Sequence, residues 1–326
     1  IVTLLVSFAK PLIGMLFVIN SEDKATARIL GLVLVEIIGY TALYVTQMKK
    51  GKVFFSKRFW KYSLMYSLPL IPHYLSQTVL NSADRIIIKD ICSDGEAGIY
   101  SLAYSISLIM TLFNTAFMQT ISPWLYQKIK DKKVTEISKI AYVSLVLIAG
   151  VNILLIICAP EVIAVFAPES YYEAIWIIPP VAMSVYFMYS YDLFAKFAFY
   201  YEKTTFVMFA SIIGAALNVV LNYIFINMFG YIAAGYTTLF CYVIYSVCHY
   251  IFMNIVCNKF CDGVKPYNLI IILLITLPFL TLGFVMLFTY SYPLIRYSLI
   301  VLILICAVIF RKKLLGVVKS FRSLRN

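Results

Sequence analysis

The chain has 326 residues, of which 63% are hydrophobic, and its formal net charge is +12. The hydrophobic share and a mean hydropathy of +0.91 exclude an ordinary soluble domain, in which about half of the residues are apolar. The positive charge does not indicate nucleic-acid binding, because the cations are concentrated in the gaps between long apolar segments.

Ten apolar segments follow one another, each close to the ~20 residues that cross a ~30 Å hydrocarbon core. Their approximate limits are 1–19, 27–47, 63–88, 98–125, 137–158, 173–194, 205–228, 231–254, 267–289 and 295–310. Of the 27 Lys and Arg residues, 21 lie in every second gap or in the C-terminal tail, that is, in 48–62, 126–139, 195–204, 255–266 and 311–326. The sequence therefore predicts an all-α membrane protein, a polytopic bundle of about ten transmembrane helices with a cytoplasmic C-terminus.

The first two segments each carry one charged residue in an apolar setting. The first begins with Ile1 rather than Met, without a basic flank, which predicts that further residues and helices precede it. It carries Lys10, which either lines a cavity or extends along its helix to the interface; its distance from both ends favours the cavity. Glu36, in the second segment, is a candidate proton or ion site or the partner of another charged residue.

The third segment is the most polar. Its polar side chains fall within about a third of the circumference of one helix: His73, Gln77, Asn81, Asp84 and Arg85. We favour the wall of a hydrated cavity; the alternative is a helix–helix seam held by hydrogen bonds, in which Asp84 and Arg85 pair with each other or with neighbours. Pro69 and Pro72 near the start of the segment predict a kink.

Later segments carry weaker polar patterns. Amides on the fourth and seventh segments (Asn114, Asn218 and Asn222) are candidate cavity residues, although their spacing favours packing between helices. Asp192 and Lys196 predict an i,i+4 pair, and Asp192 is also a candidate for ion coupling. The chain has no phosphate-binding loop and no Cys/His metal pattern, so we expect no cofactor, no metal and no enzymatic activity.

One stretch resembles a known family. The start of the C-terminal lobe of lipid-linked oligosaccharide flippases is similar to Leu68-Pro69-Leu-Ile-Pro72-His73, Asn81-Ser-Ala-Asp84-Arg85 and Gly95-Glu-Ala-Gly98-Ile-Tyr100. Gly230-Tyr-Ile-Ala-Ala-Gly235 resembles a turn in the family's later helices. These proteins are the O-antigen and capsule-repeat flippases, the polysaccharide-transporter branch of the multidrug/oligosaccharidyl-lipid/polysaccharide (MOP) exporter superfamily.

The resemblance implies a two-lobed exporter fold. Residues 1–62 would then be the last two helices of the N-terminal lobe with a basic cytoplasmic linker, and 63–326 the eight-helix C-terminal lobe with a basic tail. The cavity between the lobes would be lined by Lys10, His73, Gln77, Asn81, Asp84, Arg85, Asn114, Asn218 and Asn222. Ion coupling would use Glu36, Asp84 or Asp192.

The resemblance also implies a function. The substrate would be a polyprenyl-pyrophosphate-linked oligosaccharide, moved by alternating access across the cytoplasmic membrane of a bacterium for O-antigen, lipopolysaccharide or capsule assembly. Membrane lipids, a polysaccharide polymerase and a chain-length regulator would be the partners. The alternatives are a cation-coupled multidrug exporter of the same superfamily and, less favoured because the external loops are short, a membrane polysaccharide polymerase or ligase.

Overall fold

The computed structural model describes residues 2–53, 55–309, 311 and 316, and no strand forms among them. The chain divides into two compact units, 1–65 and 66–326, with the boundary inside helix α3. The predicted division after residue 62 into parts of two exporter lobes stays a prediction.

The first unit contains two long helices, α1 (Val2–Ile19) and α2 (Lys24–Gly51), and most of α3 (Lys57–Ser67). Asp23 caps α2 by accepting hydrogen bonds from the backbone N–H groups of Ala25 and Thr26. A β-carbon at Gly31 would lie 3.0 Å from the Cα of Gly14. Helices α1 and α2 therefore pack with their backbones in close approach at this pair of glycines.

The second unit is a helical bundle. Its α-helices are α4 (Leu70–Ile91), α5 (Asp94–Leu108), α6 (Met110–Lys130), α7 (Ile137–Ile157), α8 (Ala159–Phe166), α9 (Ile178–Tyr200), α10 (Thr204–Phe229), α11 (Ala233–Phe260), α12 (Leu269–Thr289) and α13 (Pro293–Ile309). Two 3₁₀ helices, Val134–Glu136 and Glu169–Trp176, precede α7 and α9. The predicted kink at the prolines is a break, because α3 ends at Ser67 and Pro69 occupies the cap position of α4.

Helix α9 forms the centre of the second unit. It is buried around its whole circumference, and it contacts α5, α6, α7, α10, α11 and α12. Tyr186, Tyr189 and Phe197 are among its fully buried side chains. The other helices keep apolar faces exposed on the outside of this core, as expected for helices that face lipid.

Six helices within the described residues are long and apolar enough to cross a membrane, or seven if the pair Glu169–Trp176 and Ile178–Tyr200, bent by 48°, counts as one span. The prediction of about ten spans therefore exceeds what the structure shows. The stretches Leu5–Ile19 and Pro293–Ile303 are apolar but short. Helix α4 is not in the set, because polar residues such as His73, Gln77, Asn81, Asp84 and Arg85 lower its mean hydropathy.

Candidate functional site

Helices α4 and α10 run parallel and in register. Three side-chain hydrogen bonds between the two polypeptide stretches each join residues that are 138 positions apart in the sequence. They are Thr204 Oγ1 to the Tyr66 carbonyl at 3.3 Å, His73 Nδ1 with Ser211 Oγ at 2.5 Å, and Asn222 Nδ2 to Asp84 Oδ1 at 2.5 Å. Because the offset is constant, the two helices run in the same direction, and one residue along α4 corresponds to one residue along α10.

Asp84 is the most enclosed charged side chain of this pair of helices, with 0% exposure. Its carboxylate accepts hydrogen bonds from Tyr100 Oη at 2.6 Å, Asn222 Nδ2 at 2.5 Å and Thr238 Oγ1 at 3.0 Å. These donors come from α5, α10 and α11. It forms no ion pair with any Lys, Arg or His in the part of the chain that the structure describes. A buried carboxylate held by neutral donors alone is satisfied in hydrogen bonds but not in charge.

The two amides of α10 extend this arrangement. Asn222 donates to Asn218 Oδ1 at 3.1 Å, and its own carbonyl oxygen accepts from Thr237. Asn218 donates to Thr238 Oγ1 at 3.4 Å. Asp84, Tyr100, Asn218, Asn222, Thr237 and Thr238 together form a closed polar cluster between four helices, here called the Asp84 seam.

Asn81, one turn before Asp84 on α4, binds two tyrosines. Its Oδ1 atom accepts from Tyr104 Oη at 2.9 Å and from Tyr242 Oη at 3.4 Å. The guanidinium of Arg85 lies 5.0 Å from the ring centroid of the same Tyr104, in a cation–π contact. Arg85 therefore packs on an aromatic ring and does not pair with Asp84, and its Nε atom has no hydrogen-bond partner among the described residues.

A second polar group lies nearer the start of α4. Ser211, already bonded to His73, is also 2.5 Å from Tyr245 Oη. Tyr245 packs edge-on against His249, with the ring centroids 4.5 Å apart. Both nitrogens of His249 and the Nε2 atom of Gln77 are buried without a hydrogen-bond partner among the described residues. The polar residues of α4 are thus distributed over two neighbouring clusters.

Four other predicted site residues, Asn114, Asp192, Lys10 and Glu36, have partners of their own. Asn114 donates to the Val185 carbonyl at 2.9 Å and so joins α6 to α9. Lys196 pairs with Asp192 at 2.7 Å, which confirms the predicted i,i+4 contact. In the first unit, Lys10 forms an ion pair with Glu36, the pairing that was kept as an alternative for the glutamate.

The geometry of Asp84, Asn218 and Asn222 is that of the hydrogen-bonded seam kept above as an alternative. Their assignment to a substrate cavity, with that of the other predicted residues, stays a prediction. No group of three or more His, Cys, Asp or Glu side chains within the described ranges is arranged to hold a metal ion. The chemistry available at Asp84 is that of one carboxyl group that can bind and release a proton or a single cation, with neutral hydrogen-bond donors around it and the guanidinium of Arg85 nearby.

Tyr100, Thr237 and Thr238 were not predicted as site residues, although Tyr100 belongs to the stretch that resembles the flippase family. Asn81 and Ala97-Gly98 recur 137 residues later as Asn218 and Ala234-Gly235, but these few identities do not form an internal repeat that would have identified the three residues. Both glycines are sites of close approach: a β-carbon at Gly98 would lie 3.2 Å from Tyr171 Oη, and one at Gly235 would lie 3.0 Å from Pro180 Cγ.

Two family models match the chain. The model described as "Polysaccharide biosynthesis protein" matches residues 2–129, and the model described as "MatE" matches residues 69–224. The two matches overlap between residues 69 and 129, which is where α4 and α5 contribute Asp84 and Tyr100.

Two curated relatives come from Haemophilus influenzae. A protein of the Lsg locus is 26% identical over 211 residues, which cover 61% of this chain and 51% of the relative. An uncharacterized membrane protein is 22% identical over 200 residues, which cover 60% of this chain and 49% of the relative. The chain therefore spans about half the length of the curated relatives it matches.

Among solved structures, the chain is similar to a multidrug resistance MATE family transporter of the MOP superfamily in an outward-facing conformation. The TM-score is 0.51 at 18% identity, and the match covers 67% of this chain and 51% of that chain. At this identity the likeness shows the fold. With the two family models, it confirms the resemblance to a polysaccharide transporter of the MOP superfamily that residues 68–104 predicted.

Proposed function

We propose that this chain, a multi-pass membrane transporter of the MOP superfamily, flips polyprenyl-pyrophosphate-linked oligosaccharide repeat units across the cytoplasmic membrane of a bacterium. The observation that carries the proposal is the match of the polysaccharide-biosynthesis family model to residues 2–129. The matched range includes the Lys10–Glu36 ion pair of the first unit and the carboxylate of the Asp84 seam. Surface polysaccharides such as O-antigen or capsule would be the product of the pathway, and the basic C-terminal tail would lie in the cytoplasm.

A transporter of this kind must give the polar head of its substrate hydrogen-bond partners while the head crosses the hydrocarbon core. The oligosaccharide head carries many hydroxyl groups, and an unsatisfied polar group in hydrocarbon costs several kcal/mol. A flippase therefore needs polar and cationic side chains along the path of the head. In this proposal Lys10 and Arg85 attract the pyrophosphate, while His73, Gln77, Asn81 and Asn114 provide hydrogen bonds to the sugars.

The Asp84 seam has a separate role in the proposal, as the coupling site. Binding of a proton or a cation at Asp84 would remove the negative charge that the seam encloses between α4, α5, α10 and α11. The strengths of the hydrogen bonds from Tyr100, Asn222 and Thr238 would change with it, because bonds to a charged acceptor are stronger than bonds to a neutral one. The packing of four helices would thereby depend on the ion gradient.

Complementation tests the proposal. The complete open reading frame that contains this sequence is expressed in a bacterium that lacks its own repeat-unit flippase and carries the glycosyltransferases of the cognate repeat unit. We expect surface polysaccharide to be restored, and to be lost again in Asp84→Ala at equal protein level. Asp90→Ala, at an exposed acid six residues further along α4, is the matched control and should restore polysaccharide like the parent. Unrestored polysaccharide with a normally inserted parent protein would refute the flippase function.

A multidrug exporter is the second candidate, favoured by the MatE match to residues 69–224. Its test uses a strain that lacks its major drug exporters. Efflux of cationic dyes that depends on Asp84, in cells whose surface polysaccharide does not change with the protein, would establish this alternative in place of the flippase.

A further inference from the structure

Three helices of the second unit end side by side. Helices α6, α9 and α11 end at Lys130, Tyr200 and Phe260. Each is followed within two residues by a left-handed residue: Lys132, Glu202 and Asp262 have φ angles of 57°, 58° and 54°. The turns after α6 and α9 are fixed by backbone hydrogen bonds from Lys133 to the Lys128 carbonyl at 2.9 Å and from Lys203 to the Ala198 carbonyl at 2.7 Å.

A pocket of about 290 Å³ lies between these helix ends. Lys130 and Lys132 contribute to its wall, together with Tyr201, Phe260 and Asp262. The rings of Tyr201 and Phe260 are stacked, with centroids 4.8 Å apart and an interplanar angle of 17°. Tyr201 also donates to the Phe260 carbonyl at 3.2 Å, so the aromatic part of the wall is held in place.

Two more cations stand over the same ring. Lys203 Nζ lies 5.3 Å from the centroid of Phe260, and Lys259 Nζ lies 5.6 Å from it. Lys130 and Lys132 line the pocket, and Lys203 and Lys259 lie over the Phe260 ring, which forms part of its wall. The pocket with these four lysines is here called the lysine pocket. All four are exposed.

Asp131, Glu202 and Asp262 lie in the three turns and offset part of the positive charge of the lysine pocket. Asp262 is the acid in its wall, and its carboxylate is 3.8 Å from Lys132 Nζ, with both side chains more than four-fifths exposed. Asp131 accepts a hydrogen bond from Gln127, and Glu136 is paired with Lys128. Burial raises the pKa of Tyr201, so its phenol adds no negative charge. Three helix C-termini add partial negative charge, which accounts for part of the lysine content. The partial charges of the helix ends do not explain why the lysines lie around a pocket.

We propose that the lysine pocket binds the phosphate headgroup of an anionic phospholipid. The positive-inside rule and the ends of three membrane helices set the pocket at the cytoplasmic headgroup level, where anionic lipids are found. Basic pockets between helices at that level recognise lipid phosphates, and tyrosine and phenylalanine at the same level suit the boundary between headgroups and hydrocarbon. The acyl chains would lie along the exposed apolar faces of the adjoining helices.

Binding of phosphatidylglycerol to the purified full chain in neutral detergent tests this site. Native mass spectrometry counts bound lipid in the parent, in the double variant Lys130→Gln with Lys132→Gln, and in a control, Lys49→Gln with Lys50→Gln, which removes two exposed lysines elsewhere. We expect the pocket variant to bind about tenfold more weakly and the control to stay within about twofold of the parent. Equal weakening of both variants would overturn the proposal in favour of general electrostatic attraction.

Two further arms separate the lipid from other sources of the same chemistry. Phosphatidylcholine should not replace phosphatidylglycerol, and inorganic phosphate at millimolar concentration should not displace it. Displacement by inorganic phosphate would overturn the lipid assignment, because it would show that the pocket binds a free phosphate ion. Binding should also persist at 0.5 M salt, where attraction between exposed charges further apart than the screening length of a few ångströms is lost.

Discussion

Two apolar parts of this chain stabilise charged side chains in different ways. In the first unit, Lys10 of α1 pairs with Glu36 of α2, and the two side chains are 32% and 50% exposed. In the second unit, Asp84 has no exposure and is held by three neutral donors. The ion pair keeps both members charged, since neutralising one strands the other. The Asp84 seam encloses one carboxylate whose charge a single proton or cation can remove, as the proposed coupling role requires.

The largest effect is expected for Asp84→Ala. The change leaves the donors of Tyr100, Asn222 and Thr238 without their acceptor in a buried site, at about 1–3 kcal/mol for each group. We expect the free energy of unfolding to fall by about 3 kcal/mol or more, measured by thermal or denaturant unfolding in detergent. Asp90→Ala is the control. An Asp84→Ala protein as stable as that control would show that the seam does not hold the helices.

Asn222→Leu should have the next largest effect. It removes the 2.5 Å hydrogen bond to Asp84 and the acceptor of Thr237, so we expect a loss of about 2 kcal/mol in unfolding free energy. Asn227→Leu serves as the comparison, because Asn227 is exposed on the same helix and its side-chain amide donates to the carbonyl of Tyr223 in its own turn. Equal stabilities for the two leucine variants would mean that position 222 contributes packing alone.

Tyr100→Phe sharpens the comparison by removing one donor while keeping the ring. A hydrogen bond to a charged acceptor contributes about 1.5–3 kcal/mol, and we expect the loss to lie at the lower end because two donors remain. Tyr223→Phe, at an exposed tyrosine of α10, should be neutral in the same unfolding assay. In a transport assay, Tyr100→Phe should shift the pH dependence of the rate, whereas Tyr223→Phe should not.

The smallest effect is expected for the exposed pair of the first unit. Lys10→Glu and Glu36→Lys each place two like charges side by side, and we expect each single variant to accumulate less well than the parent. The double exchange, Lys10→Glu with Glu36→Lys, restores opposite charges and should recover normal accumulation. Failure of the double exchange would show that one of the two residues has a role apart from the pair.

Much of the fold could be predicted from the sequence, because long apolar segments and cation-rich gaps have few alternatives in a membrane. The number of spans was predicted too high. The prediction counted every apolar segment, including segments whose helices are short or, like α4, carry many polar residues. The polar stripe of α4 was also predicted. Its partners were not, because a wheel shows which side chains share a face and not which helix covers it. In the sequence, Tyr100 and Thr238 have mostly small or apolar neighbours, so they resemble ordinary packing residues of α5 and α11.

The constant offset between α4 and α10 also predicts which changes of length the chain can tolerate. An inserted residue between His73 and Asp84 would turn the rest of α4 by about 100° and move it by 1.5 Å. The contact with Ser211 would then be kept only at the expense of the contact with Asn222. Insertions in the connections, such as the one between α10 and α11, leave both contacts untouched. Homologous chains should therefore vary in loop length while the eleven-residue interval from His73 to Asp84 stays fixed.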